Sequence, residues 1–358
     1  MKNKLRAVGA AVAAGVLAVA FGSTGTAYAD PTGPPTFRDL AGVGSDTTQG
    51  VMNAIANVVV SPGGPGFPAA GTKLIASYDA VGPSPVVTKD PAVLPNCSFN
   101  PRPNGSTQGR QAFDATLTPG SPTAGCLQFA RSSSGVATTT NPMTWVPFAV
   151  DAVDFAVNKI SNLPKQLAKN DLVAIYNCTI PGVNAYIPQA GSGTRNFFLT
   201  FLGINPGGPF GPCVKDTKNG VPIEEHDGRV VNGDPNGIVP ISIAQNIAQG
   251  AGTLPDIRGD SILGAMDSNL ADPTNNPDND VAPFVINSGT AQTASPSTGW
   301  PAPMQREVFS IVATAQLGNV EIANVFVGPN SQVCQQSLII KAFGFQTDPN
   351  CGSTTLHN

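Results

Sequence analysis

Charged side chains are scarce in this chain. Asp, Glu, Lys and Arg make up 12% of its residues and sum to a net charge of −4. Such a protein has no long-range positive field to attract nucleic acid, so we expect no nucleic-acid partner. Histidine is rarer still, with only His226 and His357, and no C-x-x-C pair occurs. We therefore expect neither a metal nor a cofactor.

Long apolar runs are also missing, except at the N-terminus. Lys2, Lys4 and Arg6 form a basic region before the apolar run Val8–Phe21, and Ala27-Tyr28-Ala29 resembles a cleavage site. This pattern predicts a signal peptide at residues 1–29, with a retained signal anchor as the alternative. No cysteine lies near the cleavage site to carry a lipid anchor. The sequence predicts a secreted, extracellular protein.

Six cysteines are present, all after the predicted cleavage site. An even number of cysteines in an exported protein favours disulfides over a metal site, and six allow fifteen pairings. Each cysteine has a near neighbour across a loop rich in proline and glycine. We therefore expect the pairs Cys97–Cys126, Cys178–Cys213 and Cys334–Cys351.

Apolar patterns along the chain alternate between strand and helix, and about 330 residues after cleavage are enough for two domains. The segment Trp145–Val157 is long, apolar and β-rich. It predicts a strand that crosses between domains, with Asp151 and Asp154 solvated. A helix is expected from Leu163 through Leu167. The polar segment 91–125 is expected to be a long loop insertion.

Three turns rich in glycine, serine and threonine each lead toward a helix or a strand–helix junction: Gly44–Thr48, Arg131–Gly135 and Gly191–Arg195. Hydroxyls and free N–H groups at a helix start favour an oxyanion. Each turn alone could be only a capped helix start or a tight turn. Three separate turns that converge would form a pocket for a tetrahedral anion. Glu224–Asp227 is interpreted as a polar turn between glycines.

These motifs occur in the order seen in the phosphate-binding proteins of ABC transporters, and the chain from about Phe37 onward resembles that family. The family belongs to the type II periplasmic-binding-protein superfamily. The resemblance implies an α/β fold of two lobes joined by a two-stranded hinge, with the ligand between the lobes. It also implies the domain bounds 30–146 for the first part of lobe 1, 147–284 for lobe 2 and 285–358 for the return to lobe 1.

The resemblance places anion contacts in the first turn at Thr47 and Thr48 and in the Gly191–Thr194 turn, with a further serine turn around Tyr78–Ser84. Together with the residues beside the turns, the candidate ligand-binding set is Ser45, Asp46, Thr47, Thr48, Arg131, Ser132, Ser133, Ser192, Gly193, Thr194 and Arg195. No catalytic residue is expected.

The chain departs from the family at three positions. Ser133 stands where an aspartate accepts the proton of hydrogen phosphate, and Pro188 and Ala190 stand where the family has a paired arginine and aspartate. Arg131 and Arg195 are the candidates to supply the missing positive charge. Asp46 or Asp79 could supply the acceptor carboxylate.

The sequence thus predicts a monomeric solute-binding protein that captures inorganic phosphate or a similar oxyanion for an ABC permease. No serine has the flanking glycines of a hydrolase nucleophile, which argues against an enzyme. The alternative is a secreted two-lobed interaction or scavenging protein with a different ligand, such as sulfate, another oxyanion or a macromolecule. The missing lipid anchor favours this alternative.

Overall fold

The structure, a computed structural model, describes residues 30–31, 33–271, 276–287 and 293–358. The predicted signal peptide at residues 1–29 lies outside these ranges. Within them, no helix combines the length and the apolar character that crossing a membrane requires.

The strands are mostly short, as a chain with many prolines and glycines favours. They are β1 Leu40–Gly44, β2 Ile75–Ser77, β3 Val86–Val87, β4 Ser98–Phe99, β5 Phe129–Ser132, β6 Met143–Asn158, β7 Gln166–Leu167, β8 Asn184–Tyr186, β9 Val214–Lys215, β10 Thr217–Lys218, β11 Val221–Pro222, β12 Gly237–Ser242, β13 Ser261–Leu263, β14 Ala265–Asp267, β15 Asp280–Val281, β16 Phe284–Asn287, β17 Thr293–Pro296, β18 Gln305–Ala313 and β19 Gln346–Thr347.

The helices present apolar residues at helical spacing toward the sheet. In α1, for example, Val51, Met52 and Ile55 are buried. The helices are α1 Gln49–Val58, α2 Ser106–Leu117, α3 Lys169–Tyr176, α4 Gly193–Phe201, α5 Ile243–Gly250, α6 Val320–Phe326 and α7 Ser337–Ala342.

A single ten-stranded mixed sheet runs through the molecule in the order β2-β1-β5-β18-β6-β12-β8-β9, with β13 and β19 also paired to β6. Its centre is β6, the long strand that the sequence predicts. Met143 to Ala152 of β6 pair with β18, whereas Val153 to Val157 pair with β12. One continuous strand therefore serves two parts of the sheet.

Each part of the sheet has a hydrophobic cluster on each of its two faces, because side chains alternate between the faces. On the first part, Phe148 packs into one cluster and Trp145 into the cluster on the opposite face. On the second part, Phe155 and Ala156 divide in the same way. The predicted α/β fold of two lobes is confirmed. Lobe 1 here means the part built around β1, β5 and β18, and lobe 2 the part built around β8 and β12.

Three disulfides join the predicted cysteine pairs: Cys97–Cys126, Cys178–Cys213 and Cys334–Cys351. Their sequence separations are 29, 35 and 17 residues. Closing loops of this length removes conformational entropy from the unfolded chain, worth about 3 kcal/mol each on the chain-entropy model. The loop-rich surface is thereby stabilised.

Two local predictions were wrong. The segment 91–125 is not only a loop, because α2 lies within it and packs Phe113 into the core. The segment from Leu163 forms no helix before Lys169, since Gln166–Leu167 is the strand β7. In both cases tertiary packing outweighs a weak local pattern. The exact domain bounds stay a prediction.

Candidate functional site

The first and second turns lie side by side because the strands that carry them are neighbours. β1 and β5 pair in parallel, with Gly44 opposite Arg131, so both strands end at the same edge of the sheet. Beyond that edge the hydroxyls of Ser45 and Ser133 lie 3.1 Å apart. The hydroxyl of Thr47 lies 3.2 Å from that of Ser133. All three hydroxyl side chains are buried.

The third turn reaches the same place from lobe 2. Ser192 is the N-cap residue of α4, so this helix begins at the site. The hydroxyl of Thr194 lies 3.4 Å from that of Thr47. Gly193 packs so closely that a Cβ atom there would lie 2.2 Å from Ser133 Oγ. The structure therefore brings the three turns together between the lobes.

A carboxylate lies where the turns meet, and it comes from Glu225. Its Oε2 accepts hydrogen bonds from the Thr47 hydroxyl at 2.7 Å and from the Thr47 N–H at 3.3 Å. Its Oε1 accepts from the Thr194 N–H at 3.4 Å. These two N–H groups and the Thr47 hydroxyl are called the donor cluster below. The cluster surrounds an anion supplied by the chain itself.

The environment of Glu225 strongly favours its ionised form. Burial alone would raise the pKa of this carboxyl group. The hydrogen bond and the electrostatic effect of His226, with smaller contributions from Ser192 and from the positive charge of Arg306, outweigh burial and lower the pKa of Glu225 to about 2. The donor cluster thus stabilises a buried negative charge.

His226 adds a further donor beside the cluster. Its Nδ1 accepts the N–H of Ser242 at 3.4 Å, so the neutral ring carries its proton on Nε2. Nε2 then donates to the Thr47 hydroxyl at 3.0 Å, with Glu225 Oε2 at 3.3 Å. The backbone of His226 has a φ of 63°, an unusual left-handed conformation for a histidine, in the loop that also places Glu225.

Asp46, Glu225 and His226 place one potential ligand atom each within 4.8 Å of one another, an arrangement that could hold a metal ion. The hydrogen bonds oppose that use. Because Ser242 donates to Nδ1, Nε2 holds a proton in place of a metal lone pair. The oxygens of Glu225 are engaged by the donor cluster. The geometry favours an anion site.

Asp46 lies beside the donor cluster without sharing its donors. Burial raises the pKa of Asp46 to about 7, against the opposing effect of the nearby His226. The negative charge of Glu225 raises it further. A carboxyl group near half protonation at neutral pH therefore stands next to a buried carboxylate.

Arg306 supplies the positive charge at the site. It enters from β18, directly opposite Asp151 of β6, and its Nη2 donates to Asp151 Oδ2 at 2.9 Å. The same nitrogen donates to the Thr194 hydroxyl at 2.9 Å, and Nη1 donates to the Ser133 carbonyl at 3.2 Å. Arg306 and Asp151 are both buried. The prediction that Asp151 is solvated was wrong, as it was for the equally buried Asp154.

Arg131 does not take the role expected of it. Its Nε donates to the Ser45 carbonyl and its Nη2 to the Gly44 carbonyl, both at 3.2 Å. Nη1 donates to the Ser77 hydroxyl at 2.9 Å. Burial lowers the pKa of Arg131 to about 10. This arginine braces the backbone of the first turn and directs its donors away from the cluster.

Arg195 also donates elsewhere. Its Nη1 contacts the Pro188 carbonyl at 3.1 Å and Asp216 Oδ2 at 3.0 Å. Its Nε donates to the Pro206 carbonyl at 3.1 Å, and its guanidinium lies over the ring of Phe210. Arg195 therefore fixes the loop that follows α4.

The side chains of Ser132 and Thr48, two further candidate ligand-binding residues, make no hydrogen bond to the donor cluster. The hydroxyl of Ser132 closes a local turn with the N–H and carbonyl of Ser134. The hydroxyl of Thr48 is buried and has no hydrogen-bond partner among the described residues. A buried hydroxyl without a partner is uncommon, so Thr48 retains an unused donor next to Thr47.

Sequence reasoning missed Glu225, His226 and Arg306. The segment Glu224–Asp227 does contain a turn, at Glu225 and His226, but these side chains are only 2% and 3% exposed and so lie in the site and not on the polar surface. A histidine between acidic residues in a chain with so few histidines was the available signal. For Arg306, the available signal was a single cation near the start of the apolar strand β18. An acidic residue, Asp151, lies within the apolar strand β6 and is a possible partner for it.

No protein-family profile matches this chain, and no curated protein matches its sequence. Several solved structures are similar in backbone arrangement. An ABC-type phosphate transport receptor from Vibrio cholerae is 13% identical, with 86% of this chain and 100% of that chain covered and a TM-score of 0.45.

A phosphate ABC transporter substrate-binding protein with bound phosphate, from Clostridium perfringens, is also 13% identical, with coverage of 86% and 99% and a TM-score of 0.49. A phosphate-binding protein from Stenotrophomonas maltophilia is 14% identical, with coverage of 87% and 91% and a TM-score of 0.43. These identities and scores are too low to assign a ligand or a residue role to this chain.

Proposed function

We propose that this chain is an exported solute-binding protein that captures a tetrahedral oxyanion, inorganic phosphate, for delivery to an ABC permease. One observation carries the proposal: N–H groups from both lobes and the Thr47 hydroxyl converge on a single negative charge, the carboxylate of Glu225. Neutral donors aimed at one buried point are what an oxyanion needs when it leaves water.

The charge balance around the site supports a small anion. Arg306 lies against Thr194, which belongs to the donor cluster, and against Ser133. Arg306 is itself paired with Asp151, so the cluster gains a donor without a large positive field. The spare hydroxyl of Thr48 is available to the same region.

Asp46 supports phosphate over sulfate. At neutral pH hydrogen phosphate carries a proton that a carboxylate accepts, whereas sulfate has none to donate. Asp46 is the carboxyl group beside the donor cluster that the cluster does not engage. Asp79, the other candidate acceptor, instead receives a hydrogen bond from Asn53 at 2.7 Å.

The arrangement supports binding more than catalysis. Thr47 next to His226 resembles a nucleophile with its base, but the Ser242 N–H on Nδ1 leaves the proton on Nε2. The histidine then donates to the hydroxyl and does not accept its proton. The disulfides agree with an exported chain, and the monomeric state stays a prediction.

Calorimetric titration of the oxidised chain from Asp30 onward, first with phosphate and then with sulfate, tests the proposal. We expect phosphate to bind and sulfate to bind much more weakly. T194A removes one hydroxyl from the site and should weaken phosphate binding by about 1 to 3 kcal/mol. T200A, an exposed threonine on the same helix, is the matched control and should bind as the unsubstituted chain does.

Three results would contradict the proposal in different ways. Preference for sulfate would retain the anion site and remove the role of Asp46. Equal losses in T194A and T200A would move the site elsewhere. No heat with either anion would favour the secreted two-lobed protein whose ligand is of another kind.

A further inference from the structure

We propose that Glu225 is a tethered internal anion, which fills the donor cluster and has to leave it before an external oxyanion binds. The proposal rests on the proposed function, because it concerns the same cluster. The carboxylate then acts as a competitor built into the chain and sets the concentration of external anion needed for capture.

The hydrogen bonds make the two occupants mutually exclusive. The N–H groups of Thr47 and Thr194 each have one proton, and both protons are directed at Glu225. The Thr47 hydroxyl donates to the same carboxylate at 2.7 Å. A bound oxyanion requires these donors, so it displaces Glu225.

Electrostatics lead to the same conclusion. Glu225 is 2% exposed and ionised. Two buried negative charges within contact distance repel strongly where water is excluded. Arg306 is one of the groups whose charge lowers the pKa of Glu225, and it is already paired with Asp151. The site has charge compensation for one anion.

The segment that carries Glu225 has room to move. It is the short connection between β11 and the 3-10 turn Gly228–Val231, and no described strand pairs with it. A cavity of about 420 Å³ lies alongside, lined in part by Glu224 and Asp227. Side chains hold this connection, since Gln249 donates to the His226 carbonyl at 3.1 Å and Asn104 and Gln189 donate to Glu224. Withdrawal of Glu225 therefore breaks side-chain hydrogen bonds and no strand pairing.

Withdrawal would also loosen the contact between the lobes. Glu225 belongs to lobe 2, where Ile223, two residues before it, is part of the core, and it binds Thr47 of lobe 1. An external anion binds only those molecules in which Glu225 has left the cluster. Its apparent affinity is therefore its intrinsic affinity multiplied by the fraction of such molecules. Glu225 thus couples lobe contact to anion capture.

Phosphate titration of E225Q tests the inference. Glutamine has the same shape but no charge, and an NH₂ group that faces a donor replaces one of its two acceptor oxygens. Its side chain therefore competes for the cluster much more weakly than the carboxylate does. We expect E225Q to bind phosphate at least about tenfold more tightly than the unsubstituted chain. E225A should show the same direction and serves if E225Q does not fold.

D227N is the matched control. It removes the same charge from the same loop, at a side chain that hydrogen-bonds Arg229 and stays outside the donor cluster. We expect its phosphate affinity to equal that of the unsubstituted chain. Equal or weaker binding by E225Q and E225A would overturn the inference, because Glu225 would then be neutral or helpful to the captured anion.

Amide hydrogen exchange without added anion separates this inference from the proposed function. We expect the N–H groups of Thr47 and Thr194 to exchange faster in E225A than in D227N, because they lose their acceptor, and at least one of the two to exchange faster in E225Q, which keeps one acceptor oxygen. If no variant binds phosphate, the proposed function fails, and exchange still decides whether Glu225 occupies the cluster. Unchanged exchange at both amides would overturn the internal anion.

Discussion

Asp46 and Glu225 are carboxyl groups whose oxygens lie within 4.8 Å of each other, yet their pKa values move in opposite directions. Burial raises the pKa of Asp46 to about 7. Burial acts on Glu225 too, but hydrogen bonds from His226 and Ser192 and the electrostatic effects of His226 and Arg306 bring its pKa to about 2. At the residue scale, the donors and charges that face each carboxyl group decide its ionisation.

This contrast predicts how stability depends on pH. The folded pKa of Asp46 lies above its unfolded value, so its contribution to stability is complete below pH 4 and is lost as pH rises through 7. D46N has no such loss. Its unfolding free energy relative to the unsubstituted chain should therefore rise by about 3 kcal/mol between pH 5 and pH 8.

Urea unfolding of both proteins at the two pH values measures this change. Glu225 does not contribute to this change. Its lowered pKa stabilises the folded protein, and that stabilisation is lost only as pH falls below about 4.5 toward 2. D227N serves as a control for removing one negative charge at a side chain outside the donor cluster. A constant difference between D46N and the unsubstituted chain would mean that Asp46 titrates near its ordinary value.

At the scale of elements, α2 approaches β1 closely enough for backbones to touch. A Cβ atom on Gly109 would lie 2.3 Å from Gly44 Cα and 3.0 Å from Gly44 N. Gly109 is the fourth residue of α2, inside the helix, where alanine would normally be favoured by up to about 1 kcal/mol. The close packing outweighs this preference, because no flexible side chain is present to give way.

We therefore expect G109A to lower the free energy of unfolding by about 1 to 3 kcal/mol, with α2 shifted away from β1. G318A is the control, since a Cβ atom there meets nothing within 4 Å. Its unfolding free energy should be unchanged within about 0.5 kcal/mol. Thermal or chemical denaturation gives both values, and a G109A protein as stable as the original would contradict the backbone contact.

At the scale of the whole molecule, Arg306 ties the lobes together. It lies on β18, pairs with Asp151 of the shared strand β6, and donates to Ser133 of lobe 1 and Thr194 of lobe 2. The Ser242 hydroxyl also donates to Asp151, at 2.7 Å. This buried network lies where the sheet passes from one lobe to the other.

R306M should destabilise the protein by about 3 to 5 kcal/mol, because it leaves Asp151 buried without its charge partner. The double variant R306M/D151N should recover part of that loss, since it removes the unpaired charge as well. R229M breaks the exposed pair with Asp227 and should cost less than about 1 kcal/mol. Equal costs for R306M and R229M would show that the buried pair does not join the lobes.

Patterns that depend on near neighbours in the chain were predictable. The spacing of Val51, Met52 and Ile55 identified α1, the apolar run around Phe148 identified β6, and proximity along the chain identified the cysteine pairs. Local pattern failed for α2, whose mean composition is polar and whose helical form depends on Gly109 and Phe113 packing against the sheet.

The sequence by itself determined the alternation of strands and helices, the three turns and their hydroxyl donors, because each depends on a few consecutive residues. The tertiary structure alone decided which charges face these donors. Glu225 lies 178 residues from Thr47, and Arg306 lies 155 residues from Asp151. Such distant groups meet only when the sheet register and the lobe packing place them together. A buried charge requires a partner, but the chain contains many oppositely charged residues, and the sequence does not show which of them the fold brings close.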